Sequence, residues 1–173
     1  LTTPIADAYK DSIPTVFITG QVPSAAIGTD AFQEVDTLGI TRSITKHNYL
    51  VRDVRDLEWM LREAFDLATH GRPGPVVVDI CKDVQLAPVD AARGPRERHR
   101  PAVAFDRAHA DAILDALATA ERPVVKAGGG IVSANAAGAL RRFVECFDVP
   151  VATTFNALGA VPHSLDHNLG MPG

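Results

Sequence analysis

The sequence predicts an α/β protein made of two Rossmann-like parallel-sheet pieces, and three observations carry that reading. Short β-branched runs at Val16-Phe17-Ile18, Val76-Val77-Val78, Val124-Val125 and Val149-Pro150-Val151 read as buried strands. Between them lie segments whose apolar residues recur at helical spacing, as expected of helices that bury one face. A polar, proline-containing stretch splits the series in two, and strand–helix–strand repeats of this length imply parallel sheets with right-handed crossovers.

Taken in order, the chain opens on helix (Leu1, Ile5, Ala6, Ala8, Tyr9). A strand at Pro14–Thr19 follows, ended by Gly20, and Gly20 to Asp30 reads as a loop. Asp53 is placed to cap a helix with the stripe Val54, Leu57, Leu61, Ala64, Phe65 and Ala68. Gly71 stops that helix, Pro73 guards the exit, and Pro75–Ile80 is a second buried strand. Residues 86–104 change character: proline, alanine and a charged run from Arg93 to Arg100 make a solvated linker, with an anion-binding patch as the weaker alternative. Beyond it, Asp106 caps a helix with Ile113, Leu114 and Leu117 on one face and Phe105 as a hydrophobic staple. A strand at Pro123–Ala127 runs into Gly128-Gly129-Gly130. A helix with Leu140, Phe143, Val144 and Phe147 and a strand at Val149–Thr154 complete the pattern.

Composition narrows the function classes. The 173 residues are 46% hydrophobic and 22% charged, with a formal net charge of -4. That balance leaves no basic footprint and argues against nucleic acid or an anionic membrane as a partner. No apolar run approaches the roughly 20 residues of a membrane helix, and no signal peptide opens the chain, so a cytoplasmic setting is expected. Cys81 and Cys146 are too few and too far apart for a disulfide framework or a zinc site, and are expected to be buried free thiols. The start at Leu1 and the stop at Met171-Pro172-Gly173 read as cut ends.

Few residues offer chemistry by pattern alone. The triple glycine at a strand's carboxyl end is where open α/β sheets hold nucleotides, but glycine is missing at Ser133, so a tight turn is an equal alternative. The loop from Gly20 to Glu34 puts an aromatic, an amide and two carboxylates within a few residues, either as a binding loop or as a core plug followed by a capped helix. Arg72, between Gly71 and Pro73-Gly74-Pro75, either ends a helix or meets a planar anion, and Lys82 is either a solvated strand end or an anion-facing cation. His163 and His167 are spaced four apart, yet Pro162 and Ser164 point to a loop and not to a metal-bearing helix, so no metal ligand is assigned.

Specific strings say more. Ile18-Thr19-Gly20-Gln21-Val22-Pro23, Ile27-Gly28-Thr29-Asp30-Ala31-Phe32-Gln33-Glu34, Ile40 to Val51 and Gly71-Arg72-Pro73-Gly74-Pro75-Val76 closely resemble the large subunit of biosynthetic acetolactate (acetohydroxyacid) synthase, a thiamine-diphosphate-dependent family. Asp11-Ser12-Ile13-Pro14 belongs to the same set. Lys82-Asp83-Val84-Gln85 and Ala127-Gly128-Gly129-Gly130 resemble it more loosely. The similarity runs in order along the chain and is most specific up to Gln85.

This resemblance implies an internal piece of a three-domain enzyme. Residues 1–85 would be the C-terminal half of the pyrimidine-binding domain, 86–104 the linker, and 105–173 the start of the central, FAD-binding-like domain. The implied activity joins a two-carbon unit from pyruvate to a second 2-keto acid in branched-chain amino-acid biosynthesis. It uses thiamine diphosphate, Mg²⁺ and an FAD without redox role, in a homodimer or tetramer that can carry a regulatory small subunit. By resemblance, Phe32 and Gln33 are the active-site pair. Pro23, Ala31, Lys82 and Met171 line the substrate channel, and Arg72, Gly128, Gly129, Gly130, Thr154, Leu169 and Gly170 contact FAD. The chain departs from the family at Cys81 (usually proline), Lys126 (usually apolar), Phe155-Asn156-Ala157 and Pro172 (usually a flavin-contacting histidine).

The family's activating glutamate lies upstream of Leu1 and its diphosphate-anchoring Gly-Asp-Gly segment beyond Gly173. The chain alone is therefore expected to be inactive and to retain no cofactor. Other readings are a different thiamine-dependent carboligase or acetyltransferase, such as glyoxylate carboligase or sulfoacetaldehyde acetyltransferase, or a non-flavin catabolic acetolactate synthase. From a different class come a non-catalytic nucleotide-binding module and an inert remnant.

Overall fold

The computed structural model describes residues 1–89 and 104–172, which fall into two compact units, Leu1–His99 and Arg100–Gly173. Both are α/β with parallel strands, so the expected class holds. The charged run at 93–100 and most of the expected linker lie outside the described residues.

In the first unit, α1 (Thr2–Asp11) leads to β1 (Thr15–Gln21), then α2 (Thr37–Thr41), β2 (His47–Val51), α3 (Val54–Thr69), β3 (Pro75–Cys81) and the short α4 (Lys82–Leu86). The sheet order is β1-β3-β2, so the last strand in sequence is central. Every residue of β3 is buried. Its valines have no water to lose on either face, each contributing about 1.5–3 kcal/mol relative to exposure. Helix α3 covers the sheet with Val54, Leu57, Leu61, Ala64 and Ala68, while its cap Asp53 accepts from the Arg55 N–H at 2.9 Å. Lys46 closes the other end of α3: its ammonium donates to the carbonyls of Leu67 and of His70, the latter at 2.6 Å. Those carbonyls end a helix and carry its negative pole, so a cation there is favourable. Gly74 leaves the necessary room, since a Cβ on it would lie 3.0 Å from Lys46 Cδ.

Several expectations need correction. Gly20 does not end β1; it pairs with Ile80 and the strand runs to Gln21, because β3 offers ladder partners as far as Cys81. β2 has no clear signal in the sequence, since a five-residue strand opening on His47 and Asn48 has too little apolar content to stand out. Phe65 is exposed, lying one residue, about 100° of helical turn, beyond the buried stripe.

The second unit contains α5 (Arg107–Thr119), β4 (Val125–Ala127), α6 (Gly130–Ser133), α7 (Ala137–Phe147) and β5 (Val151–Thr153), with β4 and β5 parallel. Its core joins Ala127, Leu140, Val144, Val151 and Val161. Asp106 caps α5 by accepting from the His109 N–H at 3.1 Å. The rest of that helix differs from expectation. No residue of it is buried, Ile113 and Leu114 are exposed, and Phe105 is 80% exposed, so there is no staple. Cys81 is buried as expected, and burial raises its thiol pKa, whereas Cys146 on α7 is exposed because it lies off the Leu140–Val144 face.

Candidate functional site

The loop that follows β1 leaves the carboxyl end of the sheet, the end where open α/β sheets place ligands. Four side chains hold it. Gln21 spans both ends of the loop: its Oε1 accepts from the Val22 N–H at 2.9 Å and its Nε2 donates to the Val35 carbonyl at 2.7 Å. The same Nε2 donates to Asp79 Oδ2 at 3.0 Å, and the Thr19 hydroxyl donates to Asp79 Oδ1 at 2.6 Å. Asp79 is 0% exposed, so these donors replace the water its carboxylate has lost.

Near the start of the loop, a 3₁₀ turn at Ser24–Ala26 is tied to α4. Asp83 accepts from the Ser24 N–H at 3.0 Å and from its hydroxyl, and Arg52 donates to the Ser24 carbonyl at 3.2 Å. The Ser24 hydroxyl holds the Asp83 carboxyl below the usual carboxylate range. Further along, Glu34 accepts from the N–H groups of Gly28 and of Ala31, the latter at 3.1 Å, and the Gly28 contact lowers its pKa most.

Phe32 and Gln33 lie inside the segment that Glu34 closes. Phe32 is 89% exposed and Gln33 sits at φ 66°, a left-handed conformation rare outside glycine. An exposed aromatic beside an exposed amide, on a loop so firmly tied, suits a small planar polar ligand better than it suits core packing. Pro23 and Ala31 belong to the same loop, and Lys82 sits exposed at the first position of α4, beside the Asp83 that anchors Ser24. Five of the expected residues are thus gathered at one end of one sheet.

Arg72 is not among them. It precedes β3 at the opposite end, about 20 Å away along a seven-residue strand, and its guanidinium braces the end of α1, donating to Ser12 Oγ at 2.8 Å and to the Lys10 carbonyl at 3.3 Å. Beside the loop lies an apolar cleft of about 280 Å³, lined among others by Ile5, Gly20, Val35 and Ile40, with no charged side chain.

In the second unit, the ends of β4 and β5 bring the remaining expected residues together. The Thr154 N–H donates to the Ala127 carbonyl at 2.9 Å, next to Gly128. The Leu169 N–H donates to Val151 at 2.9 Å, and Gly170, at φ 76°, accepts from the Thr153 N–H at 3.0 Å. A Cβ on Gly130 would meet nothing within 4 Å, leaving open space beside its bare backbone, and one on Gly128 would make ordinary contact with Thr154 Oγ1 at 3.8 Å. One on Gly129 would lie 3.0 Å from Asn156 Cβ. Met171 is exposed just beyond. Among the described residues no group of three or more His, Cys, Asp or Glu side chains converges to hold a metal. His167 bonds Asp148 at 2.9 Å through Nε2, and residues 163–167 are not helical. No described helix is long and apolar enough to cross a membrane.

Comparisons with known proteins point to one family. Residues 110–173 match the family model described as thiamine pyrophosphate enzyme, central domain. The whole chain is 47% identical to the acetolactate synthase large subunit of Corynebacterium glutamicum and 48% identical to the acetolactate synthase isozyme 1 large subunit of Escherichia coli. The chain belongs to the acetolactate synthase large-subunit family. The likeness extends to the chloroplastic acetolactate synthase of Arabidopsis thaliana, 46% identical over 98% of the chain. The chain spans 28%, 31% and 26% of the length of these three acetolactate synthases, respectively.

Sequence reasoning missed Gln21, Asp79, Asp83 and Ser24, which fix the loop. Asp79 had a legible signal: a lone carboxylate inside an otherwise apolar strand has to find buried donors.

Proposed function

We propose that this chain is the part of an acetolactate synthase large subunit that supplies the first-substrate loop. Residues 1–85 would be the C-terminal half of the pyrimidine-binding domain, 86–104 a linker, and 105–173 the start of the central domain. The observation that carries the reading is the loop itself, where Phe32 and Gln33 stand exposed while Gln21, Asp83 and Glu34 hold the backbone; Lys82 stands exposed just past the end of the neighbouring strand β3. A 2-keto acid is small, flat and anionic. The Phe32 ring offers it an apolar wall, the Gln33 amide donates to a carbonyl or carboxylate oxygen, and Lys82 draws the anion in.

Thiamine diphosphate would supply the chemistry of two-carbon transfer, with Mg²⁺ holding its diphosphate through residues other than those described. Gly128, Gly129, Gly130, Thr154, Leu169 and Gly170 would hold the FAD, with Met171 contributing a further contact. The open space at Gly130 supports this, and the packing of Gly128 on Thr154 and of Gly129 on Asn156 gives the cradle its floor. The working enzyme would be a cytoplasmic homodimer or tetramer with a regulatory subunit, and the chain alone would be inactive.

The test is acetolactate formation from pyruvate by the full-length protein with thiamine diphosphate, Mg²⁺ and FAD. Product that disappears without thiamine diphosphate is expected, and no product under these conditions would overturn the reading. Product from glyoxylate or sulfoacetaldehyde in place of pyruvate would point instead to a related carboligase or acetyltransferase.

A further inference from the structure

We infer that Glu34 is a positioning residue for the substrate loop, acting through Phe32 and Gln33; this rests on the reading of those two residues as substrate-facing. The Glu34 carboxylate takes the backbone N–H groups of Gly28 and Ala31, one on each oxygen, and the Glu34 N–H donates back to the Ala31 carbonyl at 2.9 Å. The result is a closed ring of backbone with Phe32 and Gln33 at its tip. Left-handed backbone occurs three times within this stretch, at Gly28 (φ 83°), Asp30 (φ 55°) and Gln33 (φ 66°). Such conformations persist where the surroundings over-determine them. For Asp30 and Gln33, which pay a steric penalty that Gly28 does not, the carboxylate bridge is the interaction present to do it.

The bridge has a second consequence. Backbone N–H groups gathered in a turn form a concavity that attracts anions. Here the protein's own carboxylate fills it, which leaves a substrate carboxylate to be met by Gln33 and Lys82 instead of being trapped on the backbone. Glutamate has the reach to serve both N–H groups. Aspartate at the same position is one methylene shorter, and glutamine would set an NH₂ against one of the donors.

The test uses the full-length enzyme with saturating cofactors. Glu34→Ala should lower kcat/KM for pyruvate by about 10- to 100-fold, the scale of a loop displaced by around an ångström. Glu34→Gln, which keeps one acceptor, should fall between the variant and the parent. The deciding measurement is the effect of Glu34→Ala in a Phe32→Ala/Gln33→Ala background. There it should be less than about twofold, because nothing remains for the loop to position. An equal loss in both backgrounds, or Glu34→Ala and Glu34→Gln enzymes indistinguishable from the parent, overturns the inference. If Glu34→Ala does not fold, the Glu34→Gln variant answers through the same cycle. A Phe32→Ala/Gln33→Ala enzyme with undiminished activity would overturn the substrate-loop reading, and this inference with it.

Discussion

Gln21 and Asp79 stand on neighbouring strands, and the amide of one donates to the buried carboxylate of the other at 3.0 Å. Through this contact a fully buried carboxylate in the middle of the sheet sets both ends of an exposed loop, since the same amide group also bonds Val22 and Val35. The site therefore depends on a core residue that no ligand would touch.

Asp79→Ala should strip the Thr19 hydroxyl and the Gln21 amide of a shared acceptor. Leaving these part-buried donors unsatisfied costs up to about 1–3 kcal/mol. Urea unfolding should show that loss of stability, and substrate affinity should fall as the loop ends come free.

Lys46→Met should remove the two carbonyl bonds that close α3, for about 1 kcal/mol. Gly74→Ala should destabilise by a similar mechanism, because the new Cβ displaces the lysine stem. If the two act through one contact, the double variant will be no worse than Lys46→Met alone, as thermal melts would show.

Gly129→Ala should weaken flavin retention in the full-length enzyme, read as flavin absorbance after desalting, because its Cβ meets Asn156. Adding Asn156→Gly should restore part of it. Gly130→Ala, whose Cβ would meet no protein atom, should leave the packing of the unit unchanged, so any flavin loss it causes reports on the flavin's own space.

Acid should loosen the loop before the sheet. Glu34 and Asp83 both titrate below their ordinary values, through the Gly28 N–H and the Ser24 hydroxyl respectively. With folded pKa values below the unfolded ones, their stabilisation is complete above the ordinary carboxylate range, near about pH 4, and is lost as pH falls through the lowered values. Amide exchange across residues 22–35 should accelerate in that window while β3 stays protected.

The buried strands and capped helices were legible because apolar runs and Asp caps are local signals, as at Val76–Val78, Asp53 and Asp106. The helix around Ile113 and Leu114 misled for the same reason: a stripe shows that a helix can bury a face, not that it does so here. The loop's residue types were visible in sequence, but their anchoring was not. Thr19 and Asp79 lie 60 positions apart, and Ser24 and Asp83 59, distances across which no periodicity reports.

The strand order also governs how the first unit reaches its native state. Neither β1 nor β2 pairs with the other, and both wait for β3. No part of the sheet can form as an isolated hairpin, and residues up to Cys81 must be available before the first ladder closes. Such non-local pairing carries a large loop-closure cost and slows folding. Until then the valines of β3 and the edge of β1 are open to pairing with other chains. On the ribosome, a segment with this strand order would be a nascent stretch in need of protection before it is a binding site.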